Sequence, residues 1–185
     1  QRLEQLSNDA LRIGAGSKFE VVGRDTVQLD AGEMYVDIPP GIHTPAAFVV
    51  TTPAGEFRHV GTQFALAVAN GETRLRVREG VVHWVTAEGH SAVQAGSEVH
   101  ISRDGKASRR AIASSDKSWD WTSATTPNFE VDNRPLQEFL AWVARESGRE
   151  LVLADEATRK QVATIRMHGS VNGLTPMQAL SAVMA

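Results

Sequence analysis

The sequence predicts a β-rich module of stacked or sandwiched short strands, followed by a small α/β module of βαβ order. Three observations carry this. Residues 11–113 alternate apolar and polar side chains with a period of two, as in a sheet with one buried and one wet face. Turns bearing Gly or Asn recur there every ~8–15 residues, the rhythm of an all-β domain. Beyond residue 128 the apolar period lengthens to that of helices. The expected organisation is a β domain over 1–113, a linker over 114–128 and an α/β domain over 129–185.

In the first module a short helix is expected at Arg2–Leu6, and strands follow it. Val27 and Leu29 flank Gln28. Phe64, Leu66 and Val68 alternate with Gln63, Ala65 and Ala67. Leu75 and Val77 alternate with Arg74, Arg76 and Arg78. Turns are expected at Gly23-Arg24-Asp25, Pro39-Pro40-Gly41, Asn70-Gly71, Glu88-Gly89, Ala95-Gly96 and Asp104-Gly105. A weak repeat runs through the module. Gly16-Ser17-Lys18-Phe19 is similar to Gly61-Thr62-Gln63-Phe64 at an offset of 45. Val27-x-Leu29-x-x-Gly32 is similar to Leu75-x-Val77-x-x-Gly80 at an offset of 48. Two strand–turn–strand units, stacked in a solenoid-like way or facing each other, are one reading. Coincidence among short β segments is the other.

Residues 114–128 are rich in Ser and Thr and read as a linker and candidate hinge. Trp119 and Trp121 lie inside it. They either pin the linker to a domain or offer an aromatic contact to a partner. In the last module Phe129-Glu130-Val131 reads as a strand. Asp132-Asn133 and Pro135 open a helix, with Leu136, Phe139, Leu140 and Val143 on one face. Gly148 stops it. Glu150–Leu153 is expected as the second strand, Ala154–Lys160 as a helical turn and Val162–Met167 as a third strand. Thr175-Pro176 opens the last helix. A second βαβ unit calls for one more strand than these residues supply.

Composition excludes several functions. The 185 residues contain no cysteine, so disulfides, thiolate metal sites and a catalytic Cys are ruled out. No apolar run approaches the ~20 residues of a spanning helix. A net charge of −3 with no basic tract gives no nucleic-acid footprint. The six histidines show no metal-ligand spacing. No phosphate loop or nucleophile elbow is present, so no enzymatic activity, cofactor or metal is expected. Two features point to contact instead. Arg74, Arg76 and Arg78 share one strand face. They are either paired by Glu20, Asp30, Glu33 or Glu98, or face an acidic partner. Trp142 lies ~120° from the apolar stripe of its helix, and either packs on the β domain or receives a partner.

Several motifs together resemble FecR-type regulators. Leu29-Asp30-Ala31-Gly32-Glu33-Met34-Tyr35-Val36-Asp37-Ile38 is similar to their L-x-x-G-E-A-Y-F-D-V segment. Residues 48–64, with Thr52-Pro53-Ala54-Gly55 and Gly61-Thr62-Gln63-Phe64, resemble their F-x-V-x-T-P-x-G-x-x-x-x-x-G-T-x-F signature. Leu75–Val82 resembles V-x-V-x-E-G-x-V. Phe129–Leu136 resembles the F-x-x-x-N-R-P-L entry to a C-terminal module of the STN type, named for secretin and TonB N-terminal domains.

The resemblance implies the periplasmic region of a single-pass inner-membrane anti-sigma regulator of Gram-negative bacteria. Its implied partners are the N-terminal signalling domain of an outer-membrane TonB-dependent transporter, often for iron–siderophore uptake, and an extracytoplasmic-function sigma factor. The sigma factor would be reached through a cytoplasmic segment that these residues do not include. A homodimer contact is a further expectation. Candidate partner-binding residues are Trp142, Phe129, Val131, Arg74, Arg76 and Arg78, with the unclosed STN-like sheet edge beside Trp142. The alternative function is a cell-envelope β module that binds a wall polymer; it calls for clustered exposed aromatics.

Overall fold

The computed structural model describes residues 11–38 and 48–185. The helix expected at Arg2–Leu6, the turn Pro39-Pro40-Gly41 and His43 lie outside these residues. The chain divides into two compact units, Gln1–Ala113 and Ser114–Ala185.

The described residues of the first unit form nine strands. They are β1 (Leu11–Ile13), β2 (Lys18–Val21), β3 (Thr26–Asp37), β4 (Val49–Thr52), β5 (Gly55–Ala69), β6 (Glu72–Thr86), β7 (Gly89–Gln94), β8 (Ser97–Ile101) and β9 (Ala107–Ala111). Three of them, β3, β5 and β6, are long enough to serve two layers. The first half of β3 pairs with β2 and, in parallel, with β4; β4 continues to the first half of β5, the second half of β6 and β7. The second half of β3 pairs with β1 and the second half of β5, which continues to the first half of β6, β8 and β9. Strands that bend between layers need local irregularity. It is supplied where the register shifts, after Lys18 on β2–β3 and around Gly61–Gln63 on β5–β6.

Between the layers lies one apolar core. Val27, Leu29, Val50, Phe57, Val82 and Val93 come from the first layer. Met34, Val36, Phe64, Leu66, Leu75, Val77, Val99 and Ile101 come from the second. The expected alternation in β5 and β6 holds on this face. Asn70 and Gly71 join the two strands with φ of 55° and 77°, the left-handed pair that a two-residue hairpin turn requires.

The repeat has a structural counterpart. Lys18, Phe19, Glu20 and Val21 pair with Ala31, Leu29, Gln28 and Val27. Gln63, Phe64, Ala65 and Leu66 pair with Glu79, Val77, Arg76 and Leu75. The sequence offsets are preserved pair by pair, with Asp30 and Arg78 as the equivalent extra residues. A Cβ on Gly32 (φ +97°) would lie 2.5 Å from Ser17 Cα, and one on Gly80 (φ +75°) 2.3 Å from Gly61 O. In each copy a glycine lets one strand cross closely over the Ser or Thr that precedes the other.

The second unit is helical, which corrects the βαβ expectation. Its helices are α1 (Asp120–Ala124), α2 (Leu136–Ser147), α3 (Glu156–Thr164) and α4 (Pro176–Met184). They enclose Val131, Phe139, Leu140, Val143, Val162, Met167, Val171 and Ala179. α2 ends on left-handed Gly148, as expected. Thr175 and Gln178 cap α4 reciprocally, with Pro176 in the first turn.

The three expected strands form no ladder; Pro135 and Arg166 make an isolated bridge. Apolar runs become strands only when a neighbour takes their backbone groups. Val152 instead is 75% exposed. Asp155 accepts from the Thr158 N–H, and the helix it caps runs on through Val162. Without strands this unit presents no sheet edge for a partner.

The segment 114–128 is not an open tether. Lys117–Trp119 forms a 3-10 turn capped by Asp116, and α1 follows directly. The Ser114 hydroxyl donates to Gly148 O at 2.5 Å, and that of Thr126 to Glu146 at 3.3 Å. Trp119 is buried.

Candidate functional site

One face of the first unit gathers charge where the strand pattern promises a wet surface. Opposite residues on six adjacent strands form a row: Arg12, Tyr35, Ala65, Arg76, Glu98 and Arg110. The row beside it runs Glu33, Ala67, Arg74, His100 and Ser108. Small Ala65 and Ala67 leave room for the long side chains of their neighbours.

Glu98 is the electrostatic centre. It accepts from Arg76 Nε at 2.8 Å and from Arg110 Nε at 2.6 Å. Burial raises the affinity of this carboxyl for its proton, but the hydrogen bonds and charges of Arg110 and Arg76 outweigh burial, and its pKa lies below the ordinary value. Glu33 stands 3.9 Å from the other side of Arg76. Two of the four carboxylates expected to pair the arginines therefore do so. At the other end of the face, the guanidinium groups of Arg12 and Arg78 lie 5.0 and 5.9 Å from the centroid of the fully buried Tyr35 ring, within cation–π range. Gln63 donates to Asp37 at 3.0 Å.

The three arginines of one strand thus differ. Arg76 and Arg78 are buried in fixed surroundings, whereas Arg74 is exposed. Sequence reasoning missed Arg12 and Tyr35. A polar residue at an alternating position signals solvent, and only the sheet order shows that both share a row with Arg76, with the Tyr35 ring near Arg78.

Trp142 packs inside its own unit. Its ring lies 5.3 Å from that of Phe129 and 5.8 Å from that of Phe139. The Arg134 guanidinium stands 5.5 Å from the Phe129 ring, and Val131 is buried in the same core. The structure brings Phe129, Val131 and Trp142 together on α2 and the segment before it, while Arg74, Arg76 and Arg78 belong to the first unit.

Among the described residues no group of three or more His, Asp and Glu is placed to hold a metal ion. No described helix is long and apolar enough to cross a membrane. Of the described aromatic residues in the first unit, Phe19 alone is exposed, so the cluster required by a wall-polymer reading is not formed there.

Residues 5–83 match the family model described as FecR protein. Comparison with curated proteins finds no match. Two crystal structures of a "putative anti-sigma factor" from Parabacteroides distasonis ATCC 8503 align with this chain. One is 14% identical with a TM-score of 0.50, covering 94% of this chain and 81% of that one. The other is 15% identical with a TM-score of 0.49, covering 94% and 80%.

Proposed function

We propose that this chain is the signal-receiving region of a FecR-type anti-sigma regulator, working by protein contact. The observation that carries the reading is the FecR match over residues 5–83. That stretch includes Arg12, Tyr35, Arg74, Arg76 and Arg78, so the charged face is built largely from matched sequence. In this reading the region lies in the periplasm, tethered by a single inner-membrane helix. It receives the N-terminal signalling domain of a TonB-dependent transporter, often one for iron–siderophore uptake. The state of that transporter is relayed to an extracytoplasmic-function sigma factor held by a cytoplasmic segment. Buried Arg76 and Arg78 keep the face rigid, and exposed Arg74 meets an acidic group of the transporter domain. Phe129, Val131 and Trp142 shape the second unit for the same relay.

The test is calorimetric titration of the chain with the signalling domains of the TonB-dependent transporters from its own genome. One domain is expected to bind, and Arg74→Glu to weaken it about tenfold, as for a charge reversed at an interface. Deleting the gene is expected to change transcription from the cognate sigma factor's promoters. Failure of every such domain to bind overturns the transporter relay.

A further inference from the structure

The two copies of the internal repeat are unequal in one respect. In the second copy, Gln63–Leu66 has a strand on each side, β6 on one and the second half of β3 on the other. Met34 lies opposite Leu66, Tyr35 opposite Ala65, Val36 opposite Phe64 and Asp37 opposite Gln63. Phe64 and Leu66 are accordingly 0% and 1% exposed. In the first copy the equivalent strand is β2, and among the described residues it pairs with β3 alone. Phe19 stands where Phe64 does and is 44% exposed; Val21 stands where Leu66 does and is 52% exposed.

These two residues do not belong to a solvent face. They lie opposite Leu29 and Val27, both fully buried, so they point to the core side of the sheet, at a margin that no other described strand joins. An edge strand with apolar side chains at alternate positions is a template for another strand unless a proline, a bulge or an inward charge blunts it. β2 has neither a proline nor an inward charge. The extra residue of its bulge, Asp30, is on β3, as Arg78 is on β6.

We propose that the edge of β2, which no described strand covers, receives an extended strand from a partner protein, antiparallel to Lys18–Val21, by β-augmentation. The covered copy specifies what fits. Met34-Tyr35-Val36-Asp37 supplies an apolar residue, one on the opposite face, an apolar one and an acid in order; in the open copy the second of these stands opposite exposed Glu20, which sets no requirement on it. Its acid accepts from Gln63, and in the open copy that amide is replaced by the ammonium of Lys18, which favours a carboxylate further. The partner strand therefore has the pattern apolar, any residue, apolar, acidic. A second copy of β2 is a poor occupant in this register, because setting Phe19 opposite Val21 sets Glu20 opposite Glu20.

A labelled peptide with the sequence of Ala31–Ile38 is the probe, titrated with the intact chain by fluorescence anisotropy. Saturable binding is expected, at least about tenfold weaker for the double variant Phe19→Lys, Val21→Lys. Both sites are exposed, so an unchanged melting temperature is expected to show that the variant folds. A peptide with its aspartate replaced by lysine is expected to bind about threefold more weakly, and to regain affinity on a Lys18→Glu chain. That charge exchange decides the matter should the double variant unfold. Absence of saturable binding, equal binding of a scrambled peptide, indifference to both sets of variants, or chain dimerisation lost on Val21→Lys overturns the proposal.

Discussion

Glu98 holds two guanidinium groups of unequal standing. The Arg76 side chain is 9% exposed and that of Arg110 62%. Glu98→Ala would take from buried Arg76 a carboxylate 2.8 Å away, so a loss of about 3 kcal/mol is expected in urea unfolding. Arg110→Ala removes an exposed partner and is expected to cost under about 1 kcal/mol. The pH dependence has a fixed sign. The folded-state pKa of Glu98 is depressed, so its stabilisation is complete above the ordinary glutamate value of about 4.3 and is lost as pH falls through the folded value. Glu98→Gln is expected to flatten that acid limb.

His59 acts in a higher window. Its Nε2 accepts the Phe48 N–H at 3.3 Å, and burial holds its pKa below the ordinary value. Below pH ~6.5 the unfolded chain takes up a proton that the folded chain refuses, so stability declines as pH falls. His59→Gln keeps an acceptor without titrating, and is expected to remove the slope that sets in below about pH 6.5.

At the scale of elements, the bulge glycines and the helix caps carry testable weight. Gly80→Ala places a methyl 2.3 Å from a backbone oxygen in left-handed backbone, and a loss of about 3 kcal/mol or more is expected. Gly105 has the same backbone hand with open space around it, so Gly105→Ala is expected to cost about 1 kcal/mol. The difference between their urea midpoints isolates the packing contribution from the conformational one. Thr175→Ala removes one half of a capping box and is expected to lower stability by about 1 kcal/mol. These elements were also the readable ones. Asn70-Gly71, Gly148 and Thr175-Pro176 announce turn and caps through backbone chemistry local to a few residues. The strands expected at Phe129–Val131, Glu150–Leu153 and Val162–Met167 rested on apolar content alone, which does not say whether a neighbour exists to complete the ladder.

At the scale of the molecule, the two units differ in how their backbone is held. The first is a set of long ladders, the β5–β6 hairpin and those that join β3 to β5 and β6 to β8 across greater sequence separations. The second joins its helices through segments at 126–135, 148–155 and 165–175 that form no ladder beyond the Pro135–Arg166 bridge and its flanking bonds. Hydrogen exchange is expected to be slowest in the centres of β5 and β6, and at least about a hundredfold faster across those three segments outside the bonded amides of Asn133 and Met167.

The sequence by itself determined the β character of the first unit, its hairpin and its repeat, the helix caps of the second and the residues that resemble FecR-type regulators, because each is written in periodicity or in residues adjacent along the chain. Tertiary structure decided that β2 pairs with β3 alone among the described strands and that Arg12, Tyr35, Arg76, Glu98 and Arg110 share one row. It also decided that the last unit is helical. Those outcomes depend on which strand lies beside which, and the neighbour that completes a ladder, buries a charge or fails to arrive is set by segments tens of residues away.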